Sequence, residues 1–204
     1  AWVYRYPSKS LKVIRITGTD GKTTTAMLAE AGLQAAGFKT GLIGTIATRI
    51  GQDELPSVRT TPEAPELQAL LAVMYERGVT AVVMEVSSHA IALGRVSGIE
   101  FDLAIFTNLG HDHLDFHRSQ DEYFGVKAEL FTADFSDAAL ICVDDSWGQR
   151  LRTSVAIPCQ TYSVPAPGAL SSGISVDWTV SDLHVEAVGW RFLVAGPGGE
   201  AQAG

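Results

Sequence analysis

Residues 17–24 have the composition of a loop that binds phosphate. Their sequence, TGTDGKTT, lies between an apolar run and a stretch of helix-forming residues. Glycines let backbone N–H groups converge on phosphate oxygens, and the start of a helix adds partial positive charge. In such a loop Lys22 would contact the β- and γ-phosphates, and the Thr23 hydroxyl would bind Mg²⁺. The usual pattern has a further glycine at the position of Ile16, so this loop is shortened. A glycine turn that binds nothing is the alternative.

Glu85 lies near the end of the apolar segment 79–86, which predicts a strand buried on both faces of a parallel sheet. Open α/β sheets bind ligands at the carboxyl ends of such strands. A buried carboxylate is unfavourable unless it meets a cation, and Mg²⁺ prefers oxygen ligands. Together with the loop, Glu85 predicts a magnesium–nucleotide site. The alternative is a buried glutamate that is satisfied by hydrogen bonds from Ser87 and Ser88.

The segment 111–117 holds three histidines and two aspartates. It is close to the H-x-H-x-D-H pattern of zinc hydrolases, but Phe116 interrupts the spacing and only His184 remains later in the chain as a further ligand. A polar loop with surface histidines is the other interpretation. It suits the outer two histidines better than His113, because His113 follows a predicted sheet edge closely.

Lys127 lies one turn after Tyr123 on a predicted helix, among apolar residues. The usual interpretation of such a position is a surface lysine that extends its amine into solvent. The residues alone leave its role open.

The elements that position these residues alternate between strand and helix as far as about residue 144. Apolar runs predict strands, and helix-forming runs that end at glycine predict helices. The predicted strands are residues 11–16, 39–43, 79–86, 101–107 and 138–143. The predicted helices are residues 23–36, a helix that begins with the cap Thr61-Pro62-Glu63 and ends at Gly78, and residues 121–131. This alternation predicts an α/β fold with a doubly wound, mostly parallel sheet.

After residue 154 the pattern changes to short alternating segments at 175–180, 183–188 and 190–194, separated by Pro, Gly and Ser. These segments predict a small antiparallel sheet near the C-terminus. The tail, GPGGEAQAG, has no packing residues and is expected to be a turn.

The composition indicates a globular protein with a sizeable core, because 46% of the 204 residues are apolar and 19% are charged. The net charge of −8 and the lack of basic clusters predict no nucleic-acid partner. No run reaches the roughly 18 apolar residues of a membrane helix, so no membrane insertion is expected. Two cysteines form no disulfide scaffold and no signal pattern starts the chain, so a cytoplasmic location is predicted.

Five blocks of the sequence resemble, in order, those of the Mur ligases: LKVIRITGTDGKTTT, TTPE, MEVSSHAIALGR, FTNLGHDHLD and YFGVKAELF. The resemblance covers about residues 4–147. It is strongest to the members that add the third amino acid of the peptidoglycan stem peptide. It implies that residues 1–10 are the end of a linker and residues 11–204 a truncated central ATPase domain, with an α/β core at 11–153. The flanking domains, which bind the UDP sugar and the incoming amino acid, would be missing.

The resemblance implies an ATP-dependent ligase that joins an amino acid to UDP-N-acetylmuramoyl-dipeptide through an acyl phosphate. ATP and Mg²⁺ are the implied cofactors, and the fragment alone is expected to be inactive. A ligase similar to folylpolyglutamate synthetase is one alternative, which the SSH block and TTPE disfavour. A non-catalytic nucleotide-binding module is the other.

The resemblance also implies roles for single residues. The implied ATP-binding residues are Gly18, Thr19, Asp20, Gly21, Lys22, Thr23 and Thr24. The implied substrate contacts are Thr60, Thr61, Ser87 and Arg95. The implied metal ligands are Thr23, Glu85, His113 and Lys127, and the implied catalytic residues are Lys22, Lys127 and His113. Lys127 would be carbamylated by CO₂, which turns a cation into a carboxylate anion and requires an amine with a lowered pKa.

Two positions depart from the family pattern. Arg15 stands where relatives commonly have a small residue, and we expect it to crowd the strand. Leu93 stands where some members use glutamine to contact the sugar-peptide.

Overall fold

The computed structural model describes residues 1–112, 116–164, 175–186 and 189–203. The strands are β1 Lys12–Thr17, β2 Thr40–Ile43, β3 Ala47–Ile50, β4 Asp53–Pro56, β5 Ala81–Glu85, β6 Phe101–Phe106, β7 Ser136–Cys142, β8 Cys159–Ser163, β9 Trp178–Val185, β10 Trp190–Gly196 and β11 Gly199–Ala203. The helices are α1 Lys22–Ala35, α2 Ala64–Glu76, α3 Ser88–Ala92, α4 Gln120–Ala128 and α5 Ser146–Ser154. Short 3₁₀ segments lie at Trp2–Tyr4, Pro7–Ser10 and Glu129–Phe131.

The described strands join one sheet in the order β11-β10-β9-β8-β7-β6-β1-β5-β2-β3-β4. The strands from β9 to β2 in this order pair in parallel, and the strands beyond them at both edges pair antiparallel. The chain runs from β1 to β2, returns with β5 and then crosses β1 to β6, so the strand order reverses at β1. The predicted doubly wound, mostly parallel sheet is confirmed. Ligands bind outside the carboxyl ends of strands at such a reversal, here those of β5, β1 and β6.

Different helices cover the two faces of the sheet. On one face Val82 packs in a cluster with Leu71 of α2, and on the other Val83 packs in a cluster with Ala26 of α1. Neighbouring residues of a strand point to opposite faces, so a strand that is covered on both sides must be apolar throughout. This requirement explains why β5 is continuously apolar until Glu85, which ends it.

The start of α2 differs from the prediction. The helix begins at Ala64 with Glu63 as its N-cap, so the predicted cap at residues 61–63 is wrong. The Thr61 hydroxyl does not cap the helix, because it donates to the backbone carbonyl of Glu85 at 3.0 Å. The buried apolar residues of α2 are Leu67, Leu71 and Met74.

The predicted antiparallel strands near the C-terminus are confirmed, and they extend the edge of the main sheet. The segments predicted at 175–180 and 183–188 both overlap one strand, β9, which continues through Asp182 with a positive φ of 50°. Residues 187–188 of the second segment lie outside the described residues. The tail is not only a turn, because residues 199–203 form β11. Backbone pairing with β10 holds this strand, so it needs no large side chains.

Several strands and helices had no prediction, namely the β3–β4 hairpin, strand β8 and helices α3 and α5. The longest helix, α1, has 14 residues. Within the described ranges, no helix is long and apolar enough to cross a membrane.

Arg15 lies in the centre of β1 and is fully buried. Its guanidinium carbon is 4.4 Å from the ring centroid of Phe101, 5.8 Å from that of Phe131 and 5.9 Å from that of Phe135. Its three nitrogens have no hydrogen-bond partner among the described residues. Burial lowers the pKa of Arg15 well below its usual value. The expected crowding is therefore relieved by a pocket of phenylalanine rings, which attract the cation but do not replace its hydrogen bonds to water.

We predict that Arg15→Met raises the free energy of unfolding by about 1–3 kcal/mol, because an apolar side chain of similar length avoids the desolvation of a charge. Chemical denaturation of both proteins measures the change. Arg77→Met is the matched control, since Arg77 is exposed and changes at such positions are usually within about 0.5 kcal/mol. A loss of more than about 1 kcal/mol in Arg15→Met would show that the guanidinium contributes net stability.

Candidate functional site

The phosphate loop is the turn of residues 18–21 between β1 and α1. Gly21 has a φ of 78° and is the N-cap of α1. Gly18 has a φ of 155°, and a Cβ atom there would overlap Thr107 Oγ1 and lie 3.1 Å from Asn108 N. Glycine is thus required at residue 18 both by the backbone conformation and by the close approach of the segment after β6.

The segment after β6 holds the loop in place. Thr107 Oγ1 donates to Asp20 O at 2.7 Å, and Asp20 N donates to Asn108 Oδ1 at 2.9 Å. The amide of Thr19 donates to Asn108 O at 3.0 Å. Sequence reasoning gave Thr107 and Asn108 no role, although their position directly after a buried strand indicated the sheet edge.

Lys22 folds back over the loop. Its ammonium donates to Gly18 O at 3.0 Å and to Thr19 O at 2.7 Å. Burial lowers the pKa of Lys22, and the charges of Glu85 and Asp20 oppose that shift. The ammonium is therefore held at the loop, where phosphate oxygens could replace the two carbonyls.

Glu85 is 1% exposed and its carboxylate is satisfied from two elements. Thr23 at the start of α1 donates its hydroxyl to Glu85 Oε2 at 2.9 Å. Thr45 donates its amide to Oε1 at 2.8 Å and its hydroxyl to Oε2 at 3.0 Å. The described hydrogen bonds of this carboxylate thus come from Thr23 and Thr45, and not from Ser87 and Ser88 as the alternative proposed.

Lys127 is 1% exposed, so the interpretation as a surface lysine is wrong. Its amine donates to Gly18 O at 2.9 Å and lies 4.6 Å from the ring centroid of Tyr123. Burial lowers the pKa of Lys127 to about 7, with a further contribution from the charge of Lys22 and an opposing one from Asp112. A substantial neutral fraction is therefore available near neutral pH.

Thr60 and Thr61 differ in their surroundings. Thr61 is buried, donates its hydroxyl to Glu85 O at 3.0 Å and accepts the amide of Ser87 at 3.2 Å. Thr60 is half-buried, and its hydroxyl lies 3.0 Å from that of Thr45. Thr61 thus fixes the chain around the end of β5, while Thr60 remains accessible from the cavity.

Arg95 closes the same side of the cavity. Its guanidinium donates to Thr61 O at 3.3 Å and forms an ion pair with Glu63 at 2.9 Å. Arg59 pairs with the same oxygen of Glu63 at 2.6 Å, so two cations share one carboxylate. Leu93, one of the two family departures, is 58% exposed and does not line the cavity.

His113 belongs to the segment 113–115, which is outside the described residues. His111 is exposed and its Nδ1 is 2.8 Å from Gln120 Nε2, whereas His117 is 2% exposed, which corrects its assignment to the surface. In the part of the chain that the structure describes, no group of three or more His, Cys, Asp or Glu residues is placed to hold a metal ion. The zinc hydrolase interpretation therefore has no support in the described residues.

One cavity of about 530 Å³ joins these parts. It is lined by all the predicted site residues that the structure describes, which are Gly18, Thr19, Asp20, Gly21, Lys22, Thr23, Thr24, Thr60, Thr61, Glu85, Ser87, Arg95 and Lys127. Residues that sequence reasoning missed also line it, namely Thr45, Arg59, Ser88 and His89. The cavity thus has a phosphate loop on one side, a wall of hydroxyl and guanidinium groups on the other, and a buried carboxylate between them.

Known proteins are similar to this chain in sequence and in fold. The chain is 53% identical over 92% of its length to a UDP-N-acetylmuramoyl-L-alanyl-D-glutamate–2,6-diaminopimelate ligase of Corynebacterium glutamicum, and 49% identical over 98% to that of Streptomyces coelicolor. It spans 35% and 38% of the length of these two relatives. A solved structure of a ligase with the same name has a TM-score of 0.85 at 27% identity, over 100% of this chain and 42% of that one.

The match to a family is equally extensive. Residues 16–200 match the Mur ligase middle domain, a range that includes the phosphate loop, the wall of the cavity and strands β9 and β10. The chain therefore belongs to the Mur ligase family.

Proposed function

We propose that this chain is the nucleotide-binding part of an ATP-dependent carbon–nitrogen ligase that adds an amino acid to UDP-N-acetylmuramoyl-dipeptide. The observation that carries this proposal is the single cavity in which the phosphate loop, Glu85, Lys127 and the threonine pair meet. The names of the relatives support 2,6-diaminopimelate as the amino acid.

The short span of the chain relative to its relatives supports a larger polypeptide. We propose that residues 1–10 are the end of a linker and residues 11–204 a central ATPase domain. Flanking domains would bind the UDP sugar and the amino acid. The enzyme would act in the cytoplasm.

In the proposed site the chain binds ATP through the loop at residues 18–24. Backbone amides and the start of α1 would hold the phosphates, and Lys22 would stabilise charge on the γ-phosphoryl group. The carboxylate of the peptide substrate would attack the γ-phosphorus, and ADP would leave. The amine of the amino acid would then attack the acyl carbon of this acyl phosphate, phosphate would leave and the amine would lose a proton. The residues of the chain bind and orient the reacting groups.

The donor set of the cavity fits a magnesium ion. A buried carboxylate, Glu85, lies 2.9 Å from the hydroxyl of Thr23, and both are hard oxygen ligands. We propose Thr23, Glu85, His113 and Lys127 as the residues that would hold it. Bound magnesium would neutralise charge on the phosphates.

Lys127 would serve as a ligand only after carbamylation. Its neutral amine would attack the carbon of CO₂ and release a proton, which leaves a carbamate anion. The lowered pKa of this buried amine supports the proposal, because the neutral amine is the form that reacts. The N–H that remains on the carbamate could still donate to Gly18 O.

We predict that Lys22→Ala in the full-length polypeptide lowers kcat by about 10²–10³-fold, because a group that stabilises transition-state charge is lost. The KM for the UDP-peptide should stay within about twofold. Steady-state ADP release measures both. Lys9→Ala is the control, since Lys9 is exposed and pairs with Glu100.

Unchanged turnover in Lys22→Ala would refute the assignment of Lys22. No turnover of the UDP-peptide by the unmodified protein, with turnover of a folate, would favour the folylpolyglutamate type of ligase. Nucleotide binding without turnover of either would favour a non-catalytic module.

We predict that the chain treated with ¹³C-bicarbonate gives a carbamate NMR signal from Lys127. Protonation blocks the reaction, so the signal should be lost as the pH falls through about 7, the pKa of Lys127. Lys127→Arg should remove the signal because a guanidinium stays protonated, whereas Lys9→Arg should keep it. A signal that persists in Lys127→Arg would assign the carbamate elsewhere.

A further inference from the structure

Thr45 connects the two sides of the cavity. It follows β2, and its hydroxyl lies between Glu85 Oε2 at 3.0 Å and Thr60 Oγ1 at 3.0 Å. Through the same Oε2, Glu85 is also bound by Thr23 of the helix that follows the phosphate loop. A series of hydrogen bonds thus connects that helix to the wall of the cavity.

The backbone around Thr45 is tightly fixed. A Cβ atom at Gly44 would overlap Glu85 Oε1, so the chain passes directly over the carboxylate and brings the Thr45 amide within 2.8 Å of it. Ser57 Oγ lies 2.6 Å from Gly44 O and 2.9 Å from Arg59 O. This contact joins the segment that carries Thr45 to the segment that carries Thr60.

The number of hydroxyl protons fixes which threonine donates in each of these hydrogen bonds. A threonine hydroxyl has one proton, and Thr45 donates its proton to the Glu85 carboxylate. In the contact between the two threonines, Thr60 must therefore be the donor and Thr45 the acceptor. The proton of Thr60 is then used within the protein, and only the lone pairs of its oxygen face the cavity.

The hydroxyl of Ser87 has the opposite role and can donate into the cavity. Ser87 Oγ accepts the amide of Ala90 at 3.2 Å, which leaves its proton available for a ligand. Arg95, next to it, can only donate. The wall therefore presents one acceptor, Thr60, beside donors at Ser87 and Arg95.

We propose that Thr45 is a positioning residue that holds Thr60 as a hydrogen-bond acceptor, so that Thr60 binds an N–H or O–H group of the substrate and discriminates against a carboxylate or phosphate oxygen. A peptide amide that lies beside a carboxylate has this combination of donor and acceptors. The inference rests on the proposed function, since it concerns how the UDP-peptide is bound.

The test uses the full-length polypeptide with Thr45→Val, which has the same shape and keeps the backbone amide that binds Glu85. Without the hydroxyl, the proton of Thr60 is free to turn into the cavity, where it opposes the donor of the substrate. We expect the Kd for the UDP-peptide, measured by calorimetry, to rise about fivefold to tenfold, the loss of roughly one hydrogen bond. Thr45→Ser should bind within about twofold of the unmodified protein, because it restores the hydroxyl.

A double-mutant cycle separates positioning from a general structural effect. If Thr45 acts through Thr60, Thr45→Val combined with Thr60→Val should bind no more weakly than Thr60→Val alone. Additive losses, an unchanged Kd in Thr45→Val or a failure of Thr45→Ser to restore binding would each overturn the proposal. Thr153→Val, at an exposed position of α5, is the matched control and should bind as the unmodified protein does.

Binding of the UDP-peptide by the unmodified protein distinguishes a failure of the proposed function from a failure of the role of Thr45. If the unmodified protein does not bind the UDP-peptide at all, the proposed function fails and takes this inference with it. If it binds the UDP-peptide but the cycle is additive, only the role of Thr45 fails.

Discussion

The buried carboxylate of Glu85 is the interaction on which the cavity depends. An apolar strand delivers it to the edge of the sheet, where water no longer solvates it, so its oxygens must be satisfied by the protein. Thr23 and Thr45 meet this need, and they belong to the helix after the phosphate loop and to the segment after β2. One desolvated group thus fixes the relative positions of two segments that are distant in sequence. The arrangement of the phosphate loop and the opposite wall of the cavity follows from it.

Gly18, the first residue of the phosphate loop, also brings separate segments together. Its carbonyl accepts from both Lys22 and Lys127, so two ammonium groups from different helices converge on one backbone oxygen. Burial lowers the pKa of both groups, and the charge of Lys22 lowers the pKa of Lys127 further. The lack of a side chain at residue 18 allows the segment after β6 to close over the loop. Electrostatics and packing therefore converge at the same position.

The sequence was sufficient to predict the parallel core, because β1, β5 and β6 are rich in apolar residues. It also indicated where the cavity lies, because β1 leads into the phosphate loop and β5 ends at Glu85. The loop pattern and the strand end also identified Lys22 and Glu85, whereas Lys127 was identified only through the family resemblance. The sequence did not identify Thr45, because a single threonine in a loop has no periodicity, and its role arises from contact with Glu85. Helix α5 was missed for a related reason: its Asp145 cap accepts the amide of Gly148, but its polar residues give no apolar pattern. Strand β11 is held by backbone pairing, which composition does not reveal.

The folded-back position of Lys22 has a consequence for ligand selection. Its ammonium is already satisfied by two carbonyls, so an incoming anion must replace them. The binding free energy gained is only the difference between the new hydrogen bonds and the old ones. A single inorganic ion therefore forms few hydrogen bonds beyond those of the carbonyls that it replaces. A polyphosphate chain offers several oxygens at once and also reaches the amides of the turn. We expect the resting loop to act as a filter against small ions, which competition between orthophosphate and a nucleoside triphosphate would measure.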